Sequence, residues 1–166
     1  WDTDDGVRRA DLANTDVTQF EDFVIGQAND PEGVSIDPVT HFVFWNNYDG
    51  GIWKKHVNGS GEVQIAGGEG GGSTIIINNR VFFDEYIASG DIRIKSANLD
   101  GTGVATVATG ISRVVFGLAY DKKSNKIYWG DRNKLNIMRA NTDGSDAEIW
   151  FSGLSTRGIT IGKRKL

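Results

Sequence analysis

An internal repeat of about 42 residues, present four times in the 166-residue chain, constrains the fold more than any other feature. Its first landmark is a turn after a strand with basic residues, and the equivalent turn positions are Ala13, Asn58, Asp100 and Asp143. These positions are 45, 42 and 43 residues apart. The second landmark is aromatic and precedes each turn: Trp1, Phe44-Trp45, Phe82-Phe83 and Tyr128-Trp129. Such self-similarity is typical of repeat architectures, in which each copy is one supersecondary unit.

A third landmark, a glycine followed by an alternating strand, identifies the first strand of each copy. It occurs at Gly33–Asp37, Gly117–Asp121 and Gly158–Gly162, with a degenerate copy at Ser73–Asn78. The best copy predicts four strands: Phe116–Asp121, Lys126–Gly130, Asn136–Ala140 and Ala147–Ser152. Four strands in such a unit form one propeller blade, which cannot bury both of its faces alone. We therefore predict an all-β fold without helices, a β-propeller of four blades with four antiparallel strands each, as one domain over residues 1–166.

The composition agrees with many tight turns and excludes several functions. The chain has 22 glycines, several in Asp-Gly or Asn-Gly pairs that favour hairpin turns with positive φ. It has no cysteine, which excludes disulfides, thiolate metal sites and a cysteine nucleophile. Its formal net charge of −4 offers no broad basic field for nucleic acid. The apolar runs, such as Thr74–Ile77, are far shorter than the ~20 residues of a membrane span.

The best copy carries a resemblance to a known family. It runs Lys126-Ile127-Tyr128-Trp129-Gly130-Asp131 and then Arg139-Ala140-Asn141-Thr142-Asp143-Gly144. This order resembles the YWTD, or class B, repeat of low-density-lipoprotein-receptor-type proteins, with its Tyr-Trp-Thr-Asp strand and Arg-Ala-Asn-Leu-Asp-Gly turn. Gly130 replaces the threonine of the motif, and other copies read Trp45-Asn46-Asn47 and Phe83-Asp84-Glu85. The resemblance implies a non-enzymatic extracellular binding propeller, although propellers of the family usually have six blades.

The two ends of the chain are predicted to meet in one blade. Trp1 matches the aromatic residue of a second strand, and Lys163–Leu166 resembles the start of that strand near Lys126. The blade would also contain Gly158–Gly162, Val7–Leu12 and Gln19–Ile25. Closure of this kind would cover strand edges that an open array exposes. Three assemblies fit: a four-bladed ring from one chain, an eight-bladed ring from a homodimer, and a section of a larger propeller.

Residues that resemble catalytic or metal-binding groups have simpler explanations. His41 and His56 are predicted on different blades, without the spacing of a catalytic triad or a metal pair. Gly67–Gly72 lacks the lysine and the helix of a phosphate-binding loop, and is predicted as a flexible connection between blades. We predict no catalytic residue and no cofactor, with calcium in the central channel as the alternative. Recurring aspartates are predicted to bind their own turns: Asp37, Asp100, Asp121 and Asp143.

Function is expected on the face that collects the inter-blade loops and the loops between second and third strands. Positions that differ between blades are free to specialise there, and seven residues are predicted to contact a ligand at the channel mouth: Asn46, Asn47, Asp84, Glu85, Arg113, Asp131 and Arg157. Capping of strand ends is the alternative role for these groups. Asn58-Gly59-Ser60 is a predicted glycosylation site at a hairpin tip, which favours a secreted protein.

These observations predict a non-enzymatic binding protein whose partner is a protein or a carbohydrate. Two other functions stay open. One is a lectin with repeated sugar sites, which a glycan array would identify. The other is a metal-dependent propeller hydrolase or lactonase, whose channel would hold a metal through carboxylate and amide oxygens. Elemental analysis would identify the hydrolase.

Overall fold

The computed structural model describes residues 2–11, 13, 16, 18–26, 30–48, 50–89 and 91–162. These residues form fifteen β-strands and no helix, so the predicted all-β class is confirmed. It follows that this part of the chain holds no helix of the length and apolarity needed to cross a membrane.

The strands form four successive sheets, which are the blades of a propeller. Blade 1 contains β1 (Asp2–Thr3), β2 (Gly6–Arg9) and β3 (Glu21–Ile25). Blade 2 contains β4 (Pro31–Ile36), β5 (Phe42–Asn47), β6 (Gly51–His56) and β7 (Val63–Ala66). Blade 3 contains β8 (Glu69–Ile77), β9 (Arg80–Ala88), β10 (Asp91–Asn98) and β11 (Ala105–Ile111). Blade 4 contains β12 (Leu118–Asp121), β13 (Lys126–Asp131), β14 (Asn136–Asn141) and β15 (Glu148–Ser152). Each sheet is an antiparallel meander of consecutive strands.

The turn after the third strand has the same hydrogen bonds in blades 2, 3 and 4. A backbone amide at the end of the strand donates to the carbonyl four residues later, at 2.9 Å in each blade, from His56, Asn98 and Asn141. A glycine in each turn has φ of 89° or 90°: Gly59, Gly101 and Gly144. Glycine adopts this conformation without the strain that a side chain would cause. The repeat in the sequence is therefore a repeat of turn geometry.

The recurring aspartates bind their own turns, as predicted. The Asp100 and Asp143 carboxylates each accept the amide hydrogen two residues later at 2.9 Å. Asp121 does the same with Lys123 at 3.0 Å, and Asp37 accepts the amides of Val39 and Thr40, both at 3.2 Å. These bonds satisfy the polar backbone where each chain reversal occurs.

The core lies between blades. Blade 1 contributes Val7 and Val24 to a cluster with Trp45 of blade 2. Blades 2 and 3 share Phe44, Ile52, Val81, Phe83 and Ala97, and blades 3 and 4 share a cluster that includes Phe82, Ile94, Ile127 and Trp129. Trp45, Phe83 and Trp129 are at most 3% exposed, which confirms the aromatic landmarks as core. Burial of each such side chain contributes roughly 1.5–3 kcal/mol.

The glycine-rich segment is not the flexible connection that the sequence predicted. Strand β8 begins at Glu69, and Gly70, Gly71 and Gly72 are buried within it. A Cβ on Gly70 would lie 1.8 Å from the carbonyl oxygen of Asn47, and one on Gly71 would lie 2.1 Å from the carboxylate of Asp84. Glycine is required because neighbouring atoms already fill the space that a side chain would occupy.

The prediction that the two histidines lie on different blades is also wrong. Strand β5 pairs antiparallel with β6, and this register places Phe42 opposite His56 within blade 2. His41 precedes β5, so the two imidazole rings meet edge to face with their centroids 6.3 Å apart. Both histidines belong to the end of blade 2 opposite to the predicted binding face.

Blade 1 differs from the prediction at one of its strands. Gly158–Gly162 forms no strand, and Ile159 packs instead against Ala119, Tyr128 and Ile137 of blade 4. The segment thus covers the side of blade 4 that faces away from blade 3. The predicted closure of blade 1 by the chain ends depends on Trp1 and Lys163–Leu166, which lie outside the described residues.

Candidate functional site

One face of the propeller collects the segments that differ most between blades. It contains the connections between β5 and β6, β9 and β10, and β13 and β14, together with the linkers that follow β11 and β15. We call it the loop face. The antiparallel register brings the end of each second strand beside the start of the third, for example Asn47 opposite Gly51 and Asp131 opposite Asn136.

Five of the seven predicted ligand residues are buried beneath the loop face. They are Asn46, Asn47, Asp84, Glu85 and Asp131, and none is more than 7% exposed. Each lies near the end of a second strand, where the sequence repeat predicted it. Their contact with a ligand stays a prediction, while their contacts within the protein are well defined.

Asp84 and Asn46 join neighbouring blades through hydrogen bonds. The Asp84 carboxylate accepts the amide of Ser73 at 2.9 Å, the Ser73 hydroxyl at 3.0 Å and the amide of Val115 at 2.8 Å. Burial raises the pKa of Asp84 to about 6, although these bonds lower it. The Asn46 amide nitrogen donates to the carbonyl oxygen of Asp84 at 2.9 Å. These groups cap strand ends and hold the following blade.

Glu85 and Asp131 each face a lysine. The Glu85 carboxylate lies 2.5 Å from Lys95 Nζ, within blade 3. The Asp131 carboxylate accepts the amide of Ser112 at 3.3 Å, contacts the Ser112 hydroxyl, and lies 3.4 Å from Lys134 Nζ. Asp131 therefore fixes the linker between blades 3 and 4.

The other two predicted residues, Arg113 and Arg157, are exposed and lie near a third arginine. The guanidinium carbon of Arg132 is 5.2 Å from the centroid of the Phe116 ring, and that of Arg157 is 5.8 Å from it. Burial lowers the pKa of Arg132, and repulsion from Arg157 and Arg113 lowers it further. The structure thus brings three cationic side chains together around one aromatic ring.

A cleft of about 280 Å³ opens on the loop face beside these arginines. Its lining includes the aromatic rings of Tyr48, Tyr86 and Phe116, with Arg113 at the same place. Tyr48 and Phe116 are 41% and 38% exposed, so their rings are accessible to a partner. The cleft spans blades 2, 3 and 4, and its lining combines three aromatic rings with polar groups.

The channel mouth also carries a carboxyl group whose pKa is raised. Burial raises the pKa of Glu32 to about 7, and the charges of Asp30, Asp2 and Asp84 raise it further. Glu32 Oε2 is buried and has no hydrogen-bond partner among the residues that the structure describes. A Cβ on Gly72 would be 2.8 Å from this oxygen and 2.8 Å from Phe116 Cδ1, so Glu32 and Phe116 lie against the same glycine. The Glu32 carboxyl group therefore lies close to the ring that Arg132 and Arg157 contact.

Two other sites considered from the sequence are a metal site and a glycosylation site. Within the described residues, no group of three or more histidine, aspartate or glutamate side chains is arranged to hold a metal ion. Asn58 is exposed at its hairpin tip, and its side-chain oxygen accepts the amide of Ser60 at 3.0 Å. Glycosylation of Asn58 stays a prediction.

Sequence reasoning missed the aromatic residues of the cleft, although the repeat contains a signal for them. The position directly after the YWTD-like motif holds Asp4, Tyr48, Tyr86 and Arg132 in blades 1 to 4. In blades 2, 3 and 4 the motif residues themselves are buried, so the next position is the first that the loop face exposes. A search for variable residues one position further along would have found Tyr48, Tyr86 and Arg132.

Comparison with known proteins gives a sequence match over part of the chain. No protein-family model matches the chain. A stretch of 64 residues is 39% identical to the low-density lipoprotein receptor-related protein 1 of Pyricularia oryzae. The match covers 36% of this chain and 21% of that relative.

Comparison of structures extends over most of the chain. The fold is similar to a chain in a nidogen–laminin complex, with a TM-score of 0.69 and 21% identity, over 89% of this chain and 59% of that chain. It is also similar to a gluconolactonase from Xanthomonas campestris, with a TM-score of 0.65 and 13% identity, over 86% of this chain and 56% of that one. At these identities the likeness shows the fold alone. With the partial sequence match, it supports a β-propeller of YWTD-like repeats.

Proposed function

We propose that this chain is a non-enzymatic binding propeller that recognises a protein partner through the loop-face cleft. The main support for this proposal is the composition of the cleft, in which Tyr48, Tyr86 and Phe116 expose aromatic surface next to Arg113. Aromatic residues and arginine are enriched at protein interfaces, and their buried rings supply much of the binding energy. The likeness to a nidogen chain in a complex with laminin supports a protein as the class of partner.

The differences between blades favour one asymmetric site. The position after the motif is acidic in blade 1, aromatic in blades 2 and 3, and basic in blade 4, at Asp4, Tyr48, Tyr86 and Arg132. A lectin with a sugar site on every blade would require similar residues at these positions. A single site that spans three blades suits the irregular surface of a protein better. The resemblance to receptor repeats and the exposed sequon at Asn58 support an extracellular location.

A carbohydrate is the second candidate for the same cleft, because Tyr48 and Tyr86 offer rings on which a sugar could stack. A glycan array separates this candidate from the first. The hydrolase alternative rests on fold likeness to a gluconolactonase at 13% identity. A likeness at this identity is not evidence of the same activity. We propose no resident cofactor, and elemental analysis for calcium tests that proposal together with the alternative of a channel cation.

The experiment compares capture by the wild-type protein with capture by two variants. The cleft variant combines Tyr48→Ser and Tyr86→Ser. The control variant Phe151→Ser removes an aromatic side chain that is 52% exposed on the outer strand of blade 4. Immobilised proteins are incubated with secreted proteins of the source organism, and any captured protein is purified and titrated by interferometry.

We expect the cleft variant to weaken binding of the captured protein by roughly thirtyfold, the effect of losing a hot spot of about 2 kcal/mol. The control should bind like the wild type. Equal binding by the cleft variant and the wild type would remove the cleft as the interface. Equal loss in both variants would indicate non-specific apolar adsorption.

A further inference from the structure

The three arginines near Phe116 differ from the other arginines of the described chain in their partners. Four of the others face carboxylates: Arg8 with Asp22, Arg9 with Glu21, Arg93 with Asp91 and Arg139 with Glu148. Arg80 donates to Asn98, Ser96 and the carbonyl oxygen of Gly103. By contrast, Arg113, Arg132 and Arg157 have no carboxylate within salt-bridge distance among the residues that the structure describes.

The middle member of this set carries an unsatisfied donor. Arg132 Nε is buried and has no hydrogen-bond acceptor among the described residues. Burial and repulsion from Arg157 and Arg113 together lower the pKa of Arg132, so the cluster is strained electrostatically. A buried donor without a partner costs free energy, and an incoming acceptor would recover it. The arrangement is therefore that of a site for an anion.

The surroundings determine which kind of anion fits. Phe116 holds Arg132 and Arg157 through cation–π contacts at 5.2 and 5.8 Å, which limits the directions that their guanidinium groups can take. The planar guanidinium fork matches a carboxylate through two parallel hydrogen bonds. The adjoining cleft with Tyr48 and Tyr86 provides apolar surface for the rest of a peptide.

We propose that Arg113, Arg132 and Arg157 form an anion site that binds a carboxylate side chain from an acidic segment of the partner protein. This inference rests on the proposed function and names the chemistry of the partner. Glu32 lies against the same glycine as Phe116, so its charge repels acidic residues that approach from that side.

The test uses fluorescein-labelled hexaglutamate, with hexaglutamine and hexalysine as comparison peptides, in fluorescence anisotropy titrations of the folded chain. The variants are Arg132→Gln, Arg157→Gln and Arg132→Lys. The matched control is Arg93→Gln, which removes the same charge from an arginine that Asp91 already neutralises at 2.9 Å. Circular dichroism confirms that each variant retains its strands.

We expect hexaglutamate to bind and the other two peptides to bind at least about tenfold more weakly. Arg132→Gln and Arg157→Gln should each weaken hexaglutamate binding by roughly tenfold or more, the effect of losing a charge-assisted hydrogen bond. Arg132→Lys should recover part of the loss, because it restores the charge without the fork. Arg93→Gln should change binding by less than about twofold.

Two results would overturn the inference. Equal binding of hexaglutamate and hexaglutamine would show that the arginines bind no carboxylate. Equal losses in Arg93→Gln and Arg132→Gln would show that only net charge matters. A competition titration with inorganic sulfate tests whether the site prefers a free anion to a peptide, with chloride at the same ionic strength as the control. Displacement of hexaglutamate by stoichiometric sulfate would assign the site to free anions. The proposed function fails separately, when capture by the Tyr48 and Tyr86 variant equals that of the wild type.

Discussion

A single repeat position contacts the chain segment that follows the blade in blades 2, 3 and 4. In blade 2 this position is Asn46, which donates to the Asp84 carbonyl oxygen of blade 3. In blade 3 it is Asp84, whose carboxylate accepts the amide of Val115. In blade 4 it is Gly130, where a Cβ would lie 2.1 Å from Thr156 Oγ1. The position is occupied by different side chains because the following segment approaches to a different distance in each blade.

Asp84→Asn tests this role. The carboxylate accepts hydrogens from Gly72, Ser73 and Val115, and an amide group would turn an N–H toward at least one of these donors. We expect a loss of about 1–3 kcal/mol in unfolding free energy, the cost of an unsatisfied buried group. For a domain of this size, each kcal/mol lowers the Tm by roughly 2–4 °C. Urea denaturation measures the change.

The exposed Asp4→Asn serves as the control for Asp84→Asn, since it removes the same charge where solvent is accessible. It should alter the unfolding free energy by less than about 0.5 kcal/mol. If Asp84 serves only as a ligand contact, as the sequence predicts, Asp84→Asn should leave the Tm nearly unchanged. An unchanged denaturation midpoint for Asp84→Asn would support the ligand role. It would contradict the stabilising bond between Asp84 and Val115.

Glu32→Gln tests the raised pKa of this carboxyl group. The pKa of Glu32 is about 7 in the folded protein, above that of an unfolded glutamate, so folding takes up a proton between roughly pH 4 and pH 7. Stability from this group is complete below that range and is lost as the pH rises through about 7. Glu32→Gln should therefore raise the Tm relative to the wild type more at pH 8 than at pH 5. Calorimetry at both values checks the difference, and an equal shift at both would place Glu32 in water.

At the scale of one element, strand β8 shows how tertiary contacts override a local pattern. Six residues from Gly67 to Gly72 include five glycines, a composition typical of a loop. The strand nevertheless pairs with β9 from Glu69 onward, with an irregular register between Gly70 and Thr74. The glycines allow the backbone to pass against Asn47 and Asp84. A sequence pattern alone cannot distinguish glycine that gives flexibility from glycine that permits close approach.

Gly71→Ala tests the requirement for close approach. Its Cβ would lie 2.1 Å from the buried Asp84 carboxylate, so the strand or the carboxylate must move. We expect a loss of about 1–3 kcal/mol, the usual cost of overpacking. Gly67→Ala is the matched control, because a Cβ there meets nothing within 4 Å, and it should be neutral or stabilise by up to about 1 kcal/mol. Chemical denaturation measures both, and similar effects at the two positions would reject the packing argument.

Elements with strong local signals could be predicted from the sequence. In blade 4 the predicted strand Lys126–Gly130 corresponds to β13 (Lys126–Asp131), and Asn136–Ala140 to β14 (Asn136–Asn141). Strand β13 carries the aromatic pair Tyr128-Trp129, and β14 leads into the Asp143-Gly144 turn. Gly158–Gly162 also alternates, yet Ile159 packs on blade 4 without forming a strand. Its conformation depends on which neighbour it meets, and local periodicity does not contain that information.

At the scale of the whole molecule, the fold was more predictable than the site. The period and its landmarks indicate blades, because blades 2, 3 and 4 use the same turn bonds and aromatic core. The cleft depends on the way that Tyr48, Tyr86 and Phe116 from three blades converge, which no single repeat records. The buried position of Asp84 likewise depends on the next blade. Repetition therefore predicts the scaffold, while differences between copies determine the binding surface.

The last prediction concerns closure of blade 1, for which the structure describes β1, β2 and β3. The sequence predicts that Lys163–Leu166 forms the start of the strand that Trp1 continues. Deletion of Lys163–Leu166 should lower the unfolding free energy by roughly 1–3 kcal/mol, the net effect of two or three lost hydrogen bonds and an exposed edge. The matched control changes Lys163, Arg164 and Lys165 to Gln, which keeps the backbone bonds and should cost less than about 1 kcal/mol. Light scattering shows whether one chain or a homodimer closes the ring. Equal denaturation midpoints for the deletion and the wild type would reject closure by the C-terminal residues.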